Sequence, residues 1–258
     1  MSDVSLALRQ TRFSLKGYLR ESRAVVFTVV MPIFLLFIFN AIFKGYTRFM
    51  HLRVPVASYY TAAIVAFEIM MASVGWLLVG VTTDRERGFL KRTRGTPVPN
   101  WIYLAGEIGK TILVVGVTVT VLVLIGVVFY HVKFSIDTLV GPVVYTVVRT
   151  ASMCAIALAG TRLCPTTDSA TSLGPFATVV LAFISGVFIP SALLPPWLID
   201  ISKLFPLEHL AHGLQVAFVI PGSTGLSLQN VGVLAGWGVA GLAAALLTFR
   251  WEPFGAGS

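Results

Sequence analysis

The sequence has few charged residues. Aspartate, glutamate, lysine and arginine make up only 12% of its 258 residues, whereas soluble domains contain roughly 25%. A soluble core of this size cannot absorb the apolar surface, because 56% of the residues are hydrophobic and the mean hydropathy is +0.86. The composition therefore excludes an ordinary soluble domain and predicts a membrane protein.

The sequence also lacks the usual signs of disulfide, metal and enzyme chemistry. Its two cysteines, Cys154 and Cys164, lie too far apart along one predicted helix to form a bridge. Gly109-Lys110-Thr111 resembles the end of a phosphate-binding loop, but the glycine needed earlier in such a loop is replaced by Leu104. No zinc-protease spacing or Gly-x-Ser-x-Gly motif is present. We expect no catalytic residue, metal or cofactor in this chain.

Long apolar runs dominate the chain instead. Each of six runs reaches the roughly 20 residues that a helix needs to cross about 30 Å of hydrocarbon. The runs do not alternate, which excludes a barrel. We predict an all-α integral membrane protein with residues 1–258 as a single transmembrane domain. The predicted spans are Ala24–Phe43, Ala57–Val81, Ile102–Tyr130, Leu139–Leu163, Ser169–Ile189 and Leu228–Phe249.

The distribution of lysine and arginine predicts the orientation. With the N-terminus inside, the inner segments hold 13 of the 19 basic residues, the outer segments hold five, and Arg149 lies within a span. The positive-inside rule then places both termini in the cytoplasm. Because the basic residues cluster at membrane boundaries, the net charge of +8 indicates topology and no nucleic-acid partner.

Two segments outside the spans have a recognisable pattern. Residues 1–23 carry a basic stripe beside an apolar stripe, which predicts an amphipathic interfacial helix in contact with membrane lipids. An ordinary basic flank that fixes topology is a compatible alternative. Residues 190–227 contain five prolines between short helical stretches. Since proline ends each stretch before it can span, we predict short re-entrant helices on the outer side.

Several residues within the spans are candidates for a transport path. Burial of Glu68 or Arg149 in lipid costs about 3 kcal/mol on insertion scales, so each is expected to face protein or water. They form either a polar contact in a translocation or proton-coupled path, or a hydrogen bond that fixes helix packing. The predicted substrate cavity contains Phe67, Glu68, Met71, Phe176 and Phe183, although such apolar side chains suit lipid contact equally well.

A charged segment at residues 82–100 separates the second and third predicted spans. This short helix ends at Thr96-Pro97-Val98-Pro99 and is poorly suited to burial but well suited to contact with another protein. The alternative is a solvated loop whose arginines only enforce topology.

The motifs in this chain match a known family. Residues Asp84–Val98 resemble the signature E-R-E-x-G-T-L-K-R-L-R-x-T-P-L of type-2 ABC exporter permeases, with the daunorubicin-resistance-like subgroup as the closest match. Phe183–Pro190, Leu194–Leu198 and Phe205–His209 resemble the family's F-x-S-G-x-F-x-P, L-P-x-W-L and P-x-x-H motifs. The resemblance covers nearly the whole chain. It departs at Asp84 and at Phe89, where the signature has glutamate and threonine.

The resemblance implies a division of labour between subunits. A separate ABC ATPase subunit would bind and hydrolyse ATP with magnesium, and a second permease subunit, identical or related, would complete the pathway. The outer segment would act as a gate with Pro190, Pro195, Pro196 and Trp197. The charged segment would be the cytoplasmic coupling helix, with its ATPase-coupling residues Asp84, Arg85, Glu86, Arg87, Lys91, Arg92 and Arg94.

These observations favour a permease subunit of an ATP-driven exporter in the bacterial cytoplasmic membrane. Its expected substrate is an amphipathic drug-like, antibiotic or lipid-type molecule, which would connect the chain with efflux and antibiotic resistance. One alternative is a proton-coupled secondary transporter that uses Glu68 and Arg149. Another is a non-transporting membrane protein, such as an assembly or immunity factor, for which the charged segment is only a docking site.

Overall fold

The computed structural model describes residues 3–50, 52–95, 99–132, 140–220, 223–225, 227–249 and 251. At residues 22–24, 94, 100 and 140–145 it describes the backbone alone. The helices are α1 (Asp3–Arg20), α2 (Ser22–Ile42), α3 (Val56–Met70), α4 (Leu78–Glu86), α5 (Phe89–Arg94), α6 (Asn100–Tyr130), α7 (Val140–Gly160), α8 (Thr167–Ile184), α9 (Pro196–Ser202), α10 (Pro206–Val219) and α11 (Leu228–Thr248).

One long helix forms the centre of the bundle. A π-helical segment, Met71–Leu77, joins α3 to α4, so that Val56–Glu86 is helical throughout its 31 residues. In its most apolar stretch 72% of the residues are buried, against 17% to 22% in the other long apolar helices. Helices α2, α6, α7, α8 and α10 pack around this one, whereas α1 packs mainly on α6 and α11 on α7. The other long apolar helices turn most of their apolar surface outward, as expected in lipid.

The two ends of this central helix differ in their surroundings. At Val56 it follows a hairpin of β1 (Tyr46–Phe49) and β2 (Leu52–Pro55), whose antiparallel register pairs Thr47 with Val54. We call this the hairpin end. At Glu86 it leads into the charged helix α5, and we call this the basic end. The hairpin was not expected from the sequence, which indicated only a short polar loop there.

The structure confirms a mainly helical, multi-pass membrane chain. Five described helices are long and apolar enough to span, and they correspond to the first, second, third, fifth and sixth predicted spans. The fourth prediction coincides with α7, whose described side chains begin only at Thr146; Thr146–Gly160 is apolar but shorter than a span. Leu139 lies outside the described residues. The count of six spans therefore stays a prediction.

Helix α1 packs along the start of α6. The contact is close because α6 carries glycine where the helices meet: a Cβ at Gly109 would lie 2.6 Å from the Thr11 hydroxyl, and one at Gly106 would overlap Gln10. Small residues permit such a close approach. The apolar side chains Val4 and Leu8 remain exposed, so the predicted contact of this helix with lipid stays a prediction.

Close packing also fixes α8 against the π-helical segment. A Cβ on Gly174 would lie 2.9 Å from the carbonyl oxygen of Val74 and 3.0 Å from that of Gly75. Backbone therefore meets backbone at this point, which ties α8 to the middle of the central helix.

Candidate coupling surface and adjoining cavity

The basic end presents a charged surface on a short, anchored helix. Gly88 separates α4 from α5 with a φ of +72°, a conformation that favours glycine. Leu90 is fully buried and anchors α5. The neighbouring Glu86, Arg87, Lys91 and Arg92 are exposed. We call these four side chains the coupling surface. The side chain of Arg94, the seventh predicted coupling residue, lies outside the described part of the chain.

Arg85 points inward from this segment. Its exposure is 1%, and its guanidinium donates to the carbonyl oxygens of Thr161 at 2.9 Å and of Cys164. Both carbonyls lie in the turn that follows α7, where helix termini leave backbone oxygens without a helical partner. Arg85 therefore fastens the end of the central helix to the α7–α8 turn.

Two carboxylates connect the same segment to other helices. Asp84 accepts a hydrogen bond from the Tyr103 hydroxyl of α6 at 2.8 Å. Glu86 accepts one from the backbone N–H of Thr167, the first residue of α8, at 2.7 Å. A carboxylate at a helix N-terminus complements the helix dipole. Movement of the basic end is thus linked to α6 and α8 as well as to α7.

A cavity of about 550 Å³ adjoins the coupling surface. Helix α1 forms one wall, and the opposite walls come from the π-helical segment, α4, α6 and α8. Lys110 and Glu107 form an ion pair on the α6 wall. Burial raises the pKa of Tyr18 above its usual range, so its phenol stays neutral in the α1 wall. We call this space the basic-end cavity.

The five residues of the predicted substrate cavity do not share one surface. Phe67 is buried, and its ring lies 5.1 Å from that of Phe188, which also contacts Phe183 at 5.1 Å. Phe176 and Phe183, at 67% and 47% exposure, lie on the outward face of α8. Their role in a substrate path depends on what covers that face and stays a prediction.

Glu68 and Arg149, the two charged residues expected to face protein or water, are both fully enclosed. Glu68 is 1% exposed, and its Oε1 has no hydrogen-bond partner among the described residues. Arg149 donates from Nη1 to the carbonyl oxygen of Leu210 at 3.0 Å. Its guanidinium lies where a side chain at position 213 would be, and that residue is Gly213. Arg149 therefore holds α10 against α7 by a hydrogen bond that fixes packing.

The predicted outer gate lies at the hairpin end. Pro190 is buried, whereas Pro195, Pro196 and Trp197 are exposed at the start of α9. Gly186, just before this segment, has a φ of +72°, and its carbonyl oxygen accepts from the Tyr59 hydroxyl at 2.5 Å and from Gln215 at 3.2 Å. The gate role stays a prediction, and the hydrogen bond from Tyr59 attaches the start of the segment to the central helix.

Sequence reasoning missed most of the basic-end cavity. Its aromatic side chains and the Glu107–Lys110 pair were not among the predicted site residues, although Glu107 and Lys110 both lie within the predicted third span. The rule that singled out Glu68 and Arg149 as charged residues within spans applies equally to this pair. It would have pointed to the α6 wall.

Comparison with known proteins shows the family to which the chain belongs. The family model described as "ABC-2 type transporter" matches residues 9–219. A relative from Bacillus subtilis (strain 168), described as "Putative transport permease YvfS", is 23% identical over 223 residues, which covers 81% of this chain and 84% of that protein. The match runs from α1 to the end of α10 and includes the coupling surface and the gate segment. The chain is therefore a multi-pass membrane permease that belongs to the ABC-2 type transporter family.

Proposed function

We propose that this chain is the permease subunit of an ATP-driven exporter. It carries an amphipathic drug-like, antibiotic or lipid-type substrate across the bacterial cytoplasmic membrane, with the basic end and both termini in the cytoplasm. A separate ATPase subunit binds ATP and magnesium, and a second permease subunit, identical or related, completes the pathway. Family membership supports the need for an ATPase partner.

The coupling surface carries the proposal. Lys91 and Arg92 lie on α5, which is fixed by Leu90. Glu86 and Arg87 lie at the end of α4, where Arg85 and Glu86 connect to the α7–α8 turn and to α8. Closure of an ATPase dimer can move the attached spans only if the contact is held by rigid parts. A solvated loop that served topology alone would not need these internal hydrogen bonds.

Reversal of exposed charges tests the coupling role. Lys91 and Arg92 are exposed, so Lys91→Glu with Arg92→Glu changes the surface and leaves the described internal hydrogen bonds intact. We expect ATP-dependent export to fall to background, measured in inverted membrane vesicles, while the amount of protein in the membrane is unchanged.

A matched control is available at the hairpin end. Lys203 and Asp200 form an exposed ion pair of 2.8 Å, and exchange of the two residues reverses two exposed charges far along the chain without a change in net charge. Export that survives this exchange but not the Lys91 and Arg92 reversal supports coupling. Export that survives both reversals contradicts it.

A second candidate function is proton-coupled transport. It is favoured by the unpartnered carboxylate oxygen of Glu68 inside the second span. It requires transport without any ATPase, which is abolished by Glu68→Gln and by collapse of the proton gradient. Transport that depends on ATP and is insensitive to an uncoupler excludes it.

A further inference from the structure

The basic-end cavity combines aromatic walls with an excess of negative charge. Five aromatic side chains line it: Phe13, Tyr18, Trp76, Phe89 and Tyr103. Aromatic faces attract organic cations, most strongly where water is excluded. Cavities of this volume match the size of drug-like molecules.

The charges of the lining leave one carboxylate in excess. Glu21, Asp84 and Glu107 face two basic residues, Arg87 and Lys110, so that the formal charge of the lining is −1. Lys110 is engaged by Glu107, and Arg87 is exposed in the turn after α4. Asp84 hydrogen-bonds to a neutral phenol, which does not neutralise its charge. Asp84 is therefore the best-placed carboxylate for a cationic ligand.

Glu68 lies behind the deep side of the cavity, where enclosure without a partner among the described residues favours the neutral carboxyl group. It lies one helical turn from Ala72, which lines the cavity. Its exposure is 1%, and its Oε1 lacks a partner among the described residues. The negative charge that a cation meets therefore comes from the lining residues and not from Glu68.

The cavity also offers a donor for an oxygen atom. Trp76 lies in the π-helical segment, and its indole N–H is buried without a hydrogen-bond partner among the described residues. Buried N–H groups without partners are costly, and π-helical turns occur frequently at functional sites. A ligand with a hydroxyl or carbonyl oxygen would satisfy this donor.

We propose that the basic-end cavity binds a monovalent organic cation with a bulky apolar body, and that cations of this class are substrates of the exporter. The aromatic walls take the apolar body, and Asp84 supplies the charge that selects a cation. The substrate role rests on the export function proposed above, whereas binding is a property of this chain alone.

A pair of ions with the same shape and opposite charge tests the selection. The full chain is placed in phosphatidylcholine nanodiscs, and binding of tetraphenylphosphonium and tetraphenylborate is measured by equilibrium dialysis against empty nanodiscs. We expect saturable binding of the phosphonium that weakens about tenfold with Asp84→Asn, the scale of one lost charged contact. Asp200→Asn, an exposed carboxylate of α9, is the matched control and leaves binding unchanged.

A double variant distinguishes loss of the charged contact from misfolding, which would also weaken binding. Asp84→Asn with Glu107→Gln turns two carboxylates into neutral amides, which changes the formal charge of the lining from −1 to +1 and leaves Lys110 without its ion-pair partner. We expect this variant to bind tetraphenylborate more tightly than tetraphenylphosphonium, a gain that a misfolded protein does not show. Equal binding of the two ions by the original chain, or an unchanged preference in the double variant, overturns the proposal.

A second measurement, the capture of an ATPase by the original chain purified from its native membrane, separates the cation-binding proposal from the exporter proposal. If the phosphonium does not bind selectively but the ATPase is captured, the cation site is wrong and the exporter role stands. If the phosphonium binds selectively and no ATPase is captured, the site stands and the exporter role is contradicted.

Discussion

Two buried arginines, one toward each end of the molecule, make different kinds of contact. Arg85, at the basic end, donates to carbonyl oxygens in the turn after α7, which have no partner in a regular helix. Arg149, within the fourth predicted span, donates to Leu210 inside α10, where the carbonyl already accepts a helical hydrogen bond. Both are almost completely enclosed, at 1% and 0% exposure.

The two arginines connect different helices. Arg85 belongs to the central helix next to the coupling surface, so a displacement there reaches the α7–α8 turn directly. Arg149 instead packs against Gly213 and fixes the position of α10. The contact of Arg85 suits the proposed transmission of movement from the basic end, and the contact of Arg149 holds α10 against α7.

The largest effect is expected at Arg85. Arg85→Met removes the side-chain donor from the carbonyls of Thr161 and Cys164, and each such loss costs roughly 1–3 kcal/mol. Among the described residues, the Thr161 carbonyl then keeps only a long hydrogen bond of 3.4 Å from the N–H of Cys164. We expect a loss of about 3 kcal/mol in the free energy of unfolding and a drop in Tm of roughly 10 °C in detergent. Arg92→Met, at an exposed position of the neighbouring helix α5, is the control. Equal Tm values for the two variants would show that Arg85 does not fasten the turn.

A smaller, coupled effect is expected at Arg149. Gly213→Ala places a methyl group against the Arg149 guanidinium and 3.1 Å from the carbonyl oxygen of Gly225, and we expect it to cost about 2 kcal/mol. In an Arg149→Met background the same change should cost clearly less, because the buried guanidinium is gone. Thermal unfolding of all four proteins gives this double-mutant cycle. Additive costs would mean that the arginine and the glycine are not packed together.

The smallest effect on stability is expected where α8 meets the central helix. Gly174→Ala forces a methyl group against two backbone oxygens and should cost about 1 to 2 kcal/mol. Gly116→Ala, in α6, has no described atom within 4 Å and should be neutral or stabilise by up to about 1 kcal/mol. Tm values that move in the same direction for both variants would contradict the close contact.

Sequence patterns predicted the membrane class because that information is local. Twenty apolar residues in a row specify a span, and the charged segment with Gly88 and its flanking motif specified a short helix between spans. The family followed from the same motif and was confirmed by the match over residues 9–219.

Contacts between distant segments were not predictable in the same way. Arg85 sits among exposed basic residues in the sequence, and only the fold shows that it faces the turn at residues 161–165. The basic-end cavity depends on how α1 packs against α6 through Gly106 and Gly109, and the positions of two glycines do not reveal their partner. The hairpin of β1 and β2 forms within a short polar loop, and its sequence has no strong alternation of apolar and polar residues that would predict strands.

Capture of an ATPase through the coupling surface is the most direct test. The chain is solubilised from its native membrane and affinity-purified as the original, as the Lys91→Glu, Arg92→Glu variant and as the Asp200–Lys203 exchange, and co-purifying proteins are identified by mass spectrometry. We predict an ATP-binding cassette protein with the original chain and the exchange, and at least a tenfold loss with the Lys91 and Arg92 variant. An ATPase retained equally by all three, or captured by none, would contradict the proposed coupling surface.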